Sequence, residues 1–207
     1  TGSHRPSEVS FAATLEEDAF RRDFTVNAVY LDPLTKEVTD PTGGVEDIER
    51  RILRATNPDP ALIMRDDGVR ILRLCRFAGQ LGFVPDEECL AGAKANAALI
   101  ADISPERIFA ELAAILHADG QYGVPYGHYA GLKLLEETGV LAQILPELAL
   151  GKDMGQRKDF HKYDVLEHSL RAAKYADQKV RLSALLHDVG KPFCMLRDGN
   201  TYAHHLC

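Results

Sequence analysis

From Pro58 onward the apolar residues of this chain recur at helical spacing almost without interruption, which sets the fold class as mainly α. Val69, Leu72, Phe77 and Leu81 fall near one helical face, and Gly82 ends that run. Ser104-Pro105-Glu106 predicts a strong helix start, with a capping hydroxyl, a proline in the first turn and an acid favoured by the helix dipole. The helix it opens carries Ile108, Leu112, Ile115 and Leu116 on one face. Further amphipathic runs are expected over 125–137 and 164–175, and a more apolar one over 178–187. The charged stretch 147–160, with Gly151 and Gly155, is the expected linker.

The N-terminal part has a different texture. Residues 8–14 alternate as a short strand does, and an acidic turn over Leu15-Glu16-Glu17-Asp18 follows. Asp32-Pro33-Leu34-Thr35-Lys36 marks a turn between two short extended pieces. In a second turn, Asp40-Pro41-Thr42-Gly43-Gly44, the two glycines suit positive φ or close backbone approach.

With 24 basic and 31 acidic side chains the net charge is −7, so bulk charge does not drive nucleic-acid binding, although a local basic stripe is compatible with it. No apolar run approaches the roughly 18 residues of a membrane helix. Cys75, Cys89, Cys194 and Cys207 form no CxxC pair, and a cytoplasmic protein with reduced thiols is expected.

The chemistry concentrates around residues 66–76. Arg70 follows Asp66 by four residues and Asp67 by three, placing all three on one side of an expected helix, with Arg73 and Arg76 continuing the basic stripe. The plain account is a pair of intrahelical ion pairs worth ~0.2–0.5 kcal/mol each. The sharper one rests on complementarity. Cytosine and adenine each present an amino donor beside an unprotonated ring nitrogen, which a carboxylate and a guanidinium match; guanine and uracil do not. The further arginines suit a triphosphate.

Several segments together are specific. Arg21-Arg22-Asp23-Phe24-Thr25-Val26-Asn27-Ala28 resembles the RRDFTxNA signature of bacterial CCA-adding tRNA nucleotidyltransferases and poly(A) polymerases. Asp40–Asp47 with Arg54 resembles the hinge between that family's head and neck, and residues 65–78 resemble its EDxxRxxRxxRFA nucleotide-reading helix. Ser104-Pro105-Glu106-Arg107 with Glu111 is similar to the next neck motif. The resemblance implies that Asp67 and Arg70 read the base, while Arg22, Arg73 and Arg76 contact phosphates and ribose. Asp66 stands where the family has glutamate. The family also carries a D-x-D pair for magnesium after a Gly-Ser turn. No D-x-D follows Gly2-Ser3 here, so the catalytic carboxylates are expected to be missing and the chain silent by itself.

Leu185-Leu186-His187-Asp188-Val189-Gly190-Lys191-Pro192 resembles the HD phosphohydrolase signature, and 161–168 resembles the start of such a domain. His168, His187 and Asp188 are the candidate ligands of a divalent transition metal, with His204 or His205 open as a further one.

The resulting expectation is a mainly α fold: an α+β remnant of a nucleotidyltransferase head (1–55), a helical neck (56–146), the linker (147–160) and a truncated HD domain (161–207). The activity implied by the resemblance is CCA addition to tRNA from CTP and ATP with magnesium. The alternatives are A-only or poly(A) addition, an HD-type metal-dependent phosphohydrolase, and a non-catalytic RNA-binding module.

Overall fold

The computed structural model describes residues 14–154, 162–198 and 201–204, with 195–198 and 201–204 described by backbone alone. The strand expected over 8–14 lies outside these residues apart from Thr14, as do Gly2-Ser3, His205 and Cys207. Thr14 is a helix cap: its Oγ1 accepts from the Glu17 amide at 3.2 Å and opens α1 (Leu15–Arg21). The expected acidic turn is therefore a first helical turn, where Glu16, Glu17 and Asp18 meet the positive end of the helix dipole.

A short 3₁₀ turn (Thr25–Asn27) leads to an antiparallel pair, β1 (Tyr30–Leu31) and β2 (Val38–Thr39), joined by the expected turn. Asp32 Oδ1 accepts from the amides of Leu34 and Thr35 and fixes that turn. Both glycine expectations hold before α2 (Gly44–Arg50). Gly43 has φ 79°, and a Cβ on Gly44 would lie 2.1 Å from the Thr25 carbonyl oxygen. After α2 come β3 (Ile52–Leu53) and α3 (Pro60–Asp66), which Asp59 caps through the Ala61 amide.

The central helix is α4 (Val69–Leu81), and it ends at Gly82 with φ 67°. Beyond it, β4 (Val84–Pro85) pairs parallel with β3, a connection that no local pattern announces. Then follow α5 (Glu87–Ala95), α6 (Pro105–Leu116), α7 (Ala118–Gln121), α8 (Gly127–Glu137), α9 (Val140–Ile144) and α10 (Pro146–Ala149). Helix α6 starts where expected, but the Ser104 side chain makes no capping bond; its carbonyl accepts from the Arg107 and Ile108 amides instead. The last helices are α11 (Val165–Tyr175), α12 (Arg181–Leu186) and α13 (Lys191–Cys194), followed by the hairpin β5 (Met195–Asp198) and β6 (Thr201–His204).

One apolar cluster runs from Phe24 through Ile71, Leu72, Ile115 and Leu132 to Leu166, Leu170 and Leu185. Helix α11 therefore shares the core of the neck. The expected linker begins inside α10, and its next residues bond to α11, with Leu166 N donating to Gly151 O at 3.1 Å and Val165 N to Met154 O at 3.2 Å. Glu167 adds a polar tie to α8, accepting from Tyr129 Oη at 2.9 Å and Lys133 Nζ at 3.2 Å. Cys75 and Cys89 are free and buried, and burial pushes both thiols up to about 12. Cys194 is disulfide-bonded, which corrects the expectation of reduced thiols throughout; no local spacing marks it out. Among the described residues, no helix is long and apolar enough to cross a membrane.

The crossing of α4 and α8 depends on missing side chains. A Cβ on Gly127 would lie 2.1 Å from the Gly79 carbonyl oxygen, and one on Gly131 3.0 Å from that of Cys75. Gly127→Ala should therefore push the helices apart and lower stability by at least about 1–3 kcal/mol in urea unfolding. Gly120→Ala, whose Cβ meets nothing nearer than Gln178 Nε2 at 3.4 Å, is the control and should stay within about 0.5 kcal/mol. Equal midpoints for the two variants would show that the crossing is not backbone-limited.

Candidate nucleotide-binding site

The motif over 21–28 folds as a turn stapled from both sides. Thr56 Oγ1 donates to the Arg22 carbonyl at 2.6 Å, Thr25 N to that of Arg54 at 3.0 Å, and Phe24 makes an isolated antiparallel bridge to Ala55. Asp23 is 5% exposed and serves as the hub. Its Oδ1 accepts from the Phe24 amide and from Asn27 Nδ2, and its Oδ2 from Arg73 Nε at 2.6 Å. Arg22 spans Asp18 Oδ2 (2.7 Å), Tyr30 Oη (3.1 Å) and the Asn27 carbonyl (3.1 Å). The Arg22 guanidinium, with help from Tyr30 and Arg21, holds the Asp18 carboxyl well below the usual carboxylate range.

The expectation of one helix carrying Asp66, Asp67 and Arg70 needs correction. Helix α3 ends at Asp66, Asp67 is extended (φ −153°, ψ 107°), and α4 begins at Val69. A carboxylate within an unbroken helix cannot cap a buried helix start, but Asp67 can. Its Oδ1 accepts from the Val69 amide at 3.1 Å and its Oδ2 from Arg107 Nη2 at 2.5 Å. Arg70 pairs with Asp66 at 3.6 Å and donates to the carbonyls of Ile63 (3.1 Å) and Arg21 (2.8 Å). The Arg70 amide donates to the Asp67 carbonyl at 2.9 Å, but the two side chains are held by third parties rather than by each other.

These groups open onto a cavity of about 450 Å³ lined by Arg22, Asp67, Arg70 and Arg73, with Asp23, Asn27, Val69, Phe77 and Arg107. Four of the five expected nucleotide residues come together there. Arg76 does not. Six residues beyond Arg70 it has rotated about 120° around the helix, at 3.6 residues per turn. It points to α6 instead, pairing with Glu111 Oε2 at 2.7 Å and Gln80 Oε1 at 3.0 Å and stacking 4.1 Å from the Phe77 ring centroid. Arg73 is in the cavity wall but committed to Asp23. Of the residues that sequence reasoning gave no role, Asp23 and Asn27 lie within the 21–28 motif and Arg107 within the 104–107 motif, so the signal was present. Phe77 reads in sequence as a core residue.

The second expected cluster also assembles. His168 Nε2 lies 3.2 Å from His187 Nε2 and 3.5 Å from Asp188 Oδ2, and His187 Nε2 lies 3.1 Å from that oxygen. His187 Nδ1 faces the Ala184 carbonyl at 2.8 Å, which as a donor leaves the Nε2 lone pair turned to the cluster. Lys191 Nζ sits 2.6 Å from Asp188 Oδ2. The three ligating atoms fall within 4.8 Å of one another, a donor set that fits a divalent ion of borderline softness. His204 is described by backbone alone.

The helical neck thus brings an aspartate and an arginine together beside the RRDFTVNA turn. Residues 1–54 match the poly A polymerase head domain, and residues 82–150 match the probable RNA and SrmB-binding site of polymerase A. A multifunctional CCA protein from Xanthomonas campestris is 38% identical over 192 residues, covering 87% of this chain and 44% of the relative. An A-adding tRNA nucleotidyltransferase from Deinococcus radiodurans is 36% identical over 205 residues, covering 93% and 44%. The crystal structure of the Bacillus stearothermophilus CCA-adding enzyme in complex with CTP superimposes with a TM-score of 0.65 at 32% identity, over 89% of this chain and 43% of that one. The chain belongs to the family of CCA-adding tRNA nucleotidyltransferases and poly(A) polymerases, and it spans less than half the length of these relatives.

The Asp18 contacts carry a pH dependence. Because folding depresses this carboxyl, its stabilisation is complete above the unfolded value near 4 and is lost as the pH falls below it. The stability gap between wild type and Asp18→Asn, read from urea midpoints, should shrink steadily from pH 5 to pH 2. A gap that stays constant would mean that the Asp18 charge contributes nothing.

Proposed function

We propose that this chain supplies the nucleotide-selecting and RNA-positioning part of an enzyme that adds C, C and A to tRNA 3′ ends from CTP and ATP in the cytoplasm. The observation that supports it is the cavity where Asp67 and Arg70 stand together beside Arg22 and Arg73. Asp67 accepts from the exocyclic amine that cytosine and adenine share. Arg70 has five N–H donors, and those its two carbonyl partners leave over reach the adjacent ring nitrogen. Arg107 and the Val69 amide fix the carboxylate so that it need not be ordered when a nucleotide arrives. Arg22 and Arg73 supply positive charge for the triphosphate, and Arg76 acts as a strut between α4 and α6.

Nucleotidyl transfer in such enzymes uses metal-held carboxylates. The residues in this cavity do not fit a pair of magnesium ions. Asp23 is taken by Arg73 and Asn27, Asp67 by Arg107, and arginines surround both. No metal-dependent step is assigned to them, and the chain by itself is expected to extend no tRNA primer.

Selection is testable by calorimetric titration of the chain with CTP, ATP, UTP and GTP. Asp67→Ala should reduce the preference for CTP and ATP by roughly tenfold to a hundredfold, the worth of one hydrogen bond to a charged group at ~1.5–3 kcal/mol. Arg22→Ala should weaken all four about equally, since a phosphate contact carries no base information. Proportional losses in both variants would overturn the base-reading pair.

A second reading, metal-dependent phosphohydrolysis, is favoured by the second cluster. His168, His187 and Asp188 would hold a divalent transition metal, which when bound polarises a phosphoryl oxygen. With three ligands among the described residues, binding of manganese or zinc should be weak and reversed by a chelator, and His187→Ala should abolish it in metal analysis. Tight binding indifferent to that change would make the cluster structural.

A further inference from the structure

On the side of the neck where α8 meets the end of α11 lies a separate cavity of about 470 Å³, within the size range of small-ligand sites. Its rim is aromatic and cationic. Tyr126 and Tyr175 meet edge to face at 6.0 Å and are 50% and 67% exposed. Lys174 Nζ stands between them, 4.6 Å and 5.3 Å from their ring centroids and 4.8 Å from that of Tyr129. Among the described residues Lys174 makes no ion pair, so its charge faces the opening uncompensated.

The backbone at this rim is strained. Tyr126 has φ 56°, a left-handed conformation that glycine normally takes, yet a large ring is held there half in solvent. Its ring faces those of Tyr175 and His128, at 6.0 and 6.5 Å between centroids. The floor is unfinished. Arg181, 5% exposed, donates to the Leu116 carbonyl and pairs with Asp119 at 2.9 and 3.0 Å, but its buried Nε has no partner. His128, 1% exposed, places Nδ1 3.0 Å from Asp119 Oδ2 without the alignment of a hydrogen bond.

We propose that this cavity is a second nucleotide site, one that takes a stackable base bearing a phosphate: the base against Tyr175 and Tyr126, the phosphate at Lys174. Aromatic faces beside a free cation are the general means of holding a single-stranded nucleotide without reading its sequence. The ligand is a nucleotide unit of an RNA rather than a free one, because Asp119, Tyr126 and His128 fall within the segment matched to an RNA-binding family. This deepens the reading that the chain positions tRNA and rests on it for the RNA source. The site lies apart from the Asp67–Arg70 cavity, with which it shares no lining residue.

The test is binding of the 207-residue chain to a fluorescein-labelled tRNA lacking its CCA end, to a labelled oligoadenylate and to AMP, by anisotropy and calorimetry. Tyr175→Ala should weaken both RNAs by about 5- to 100-fold, the range of one lost base stack, while Tyr175→Phe retains most of the affinity. Lys174→Met should reduce the slope of affinity against salt by about one phosphate contact. If the wild type binds RNA and all three variants match it in affinity and salt slope, this site is overturned while the tRNA reading stands. Should only AMP bind, with Tyr175→Ala weakening it, the site holds for free nucleotides and the tRNA reading falls. No binding of RNA or AMP that Tyr175→Ala weakens overturns the site outright. Tyr175 is exposed at a helix end, so thermal melts of the variants should coincide with wild type.

Discussion

Asp23 and Arg73, fifty residues apart, meet at 2.6 Å, and both line the cavity that Asp67 and Arg70 face. The carboxylate is almost wholly buried in the 22–28 turn, and α4 carries the guanidinium. A buried carboxylate left without its partner is strongly destabilising, on the order of 3–5 kcal/mol in a fully buried pair and less here, where Arg73 is 36% exposed. The pair docks the N-terminal turn on the central helix. Arg70 then reaches the Arg21 carbonyl, and Phe24 packs edge-on against Phe77 at 6.0 Å. The same contact makes Arg73 part of the frame as well as part of the wall.

The division of labour along α4 follows from its surroundings. Its buried face, including Ile71, Leu72, Leu74 and Cys75, enters the common core, and its close approach to α8 leaves no room for side chains at Gly79 and Gly127. The polar face is consumed unevenly. Arg76 goes to Glu111, Arg73 to Asp23, and Arg70 to backbone carbonyls and Asp66. Such prior commitments order long side chains before any ligand binds, which reduces the entropy lost on binding. The break at Asp67–Gly68 serves the same end, because only a residue outside the helix can both cap α4 and face the cavity.

Much of this was readable in advance. The periodicity of 69–81 and the stop at Gly82 fixed α4, Pro105 located α6, and Gly43-Gly44 marked a turn with one positive φ and one close approach. Five expected positions around the two sites, Asp67, Arg70, His168, His187 and Asp188, stand close together in two groups as their motifs imply. The spacing of Asp66, Asp67 and Arg70 misled in one respect, since an i, i+3 interval is compatible with a helix but does not require one. The same applies to the linker expected over 147–160 from its charge and its two glycines, one of which, Gly151, has Val165 and Leu166 pressed against it.

By itself, then, the sequence determined the helical class, most helix starts and stops, and the residue types gathered in the two candidate sites, because these depend on neighbours within a few positions. Tertiary structure alone decided which arginine faces the cavity and which braces the helices, that Arg107 holds Asp67, and that β3 pairs with β4. It also placed Lys174 among tyrosines from two helices. Each of these is a contact between segments tens of residues apart, and its outcome depends on which donor finds a buried acceptor first, a competition that no local spacing records.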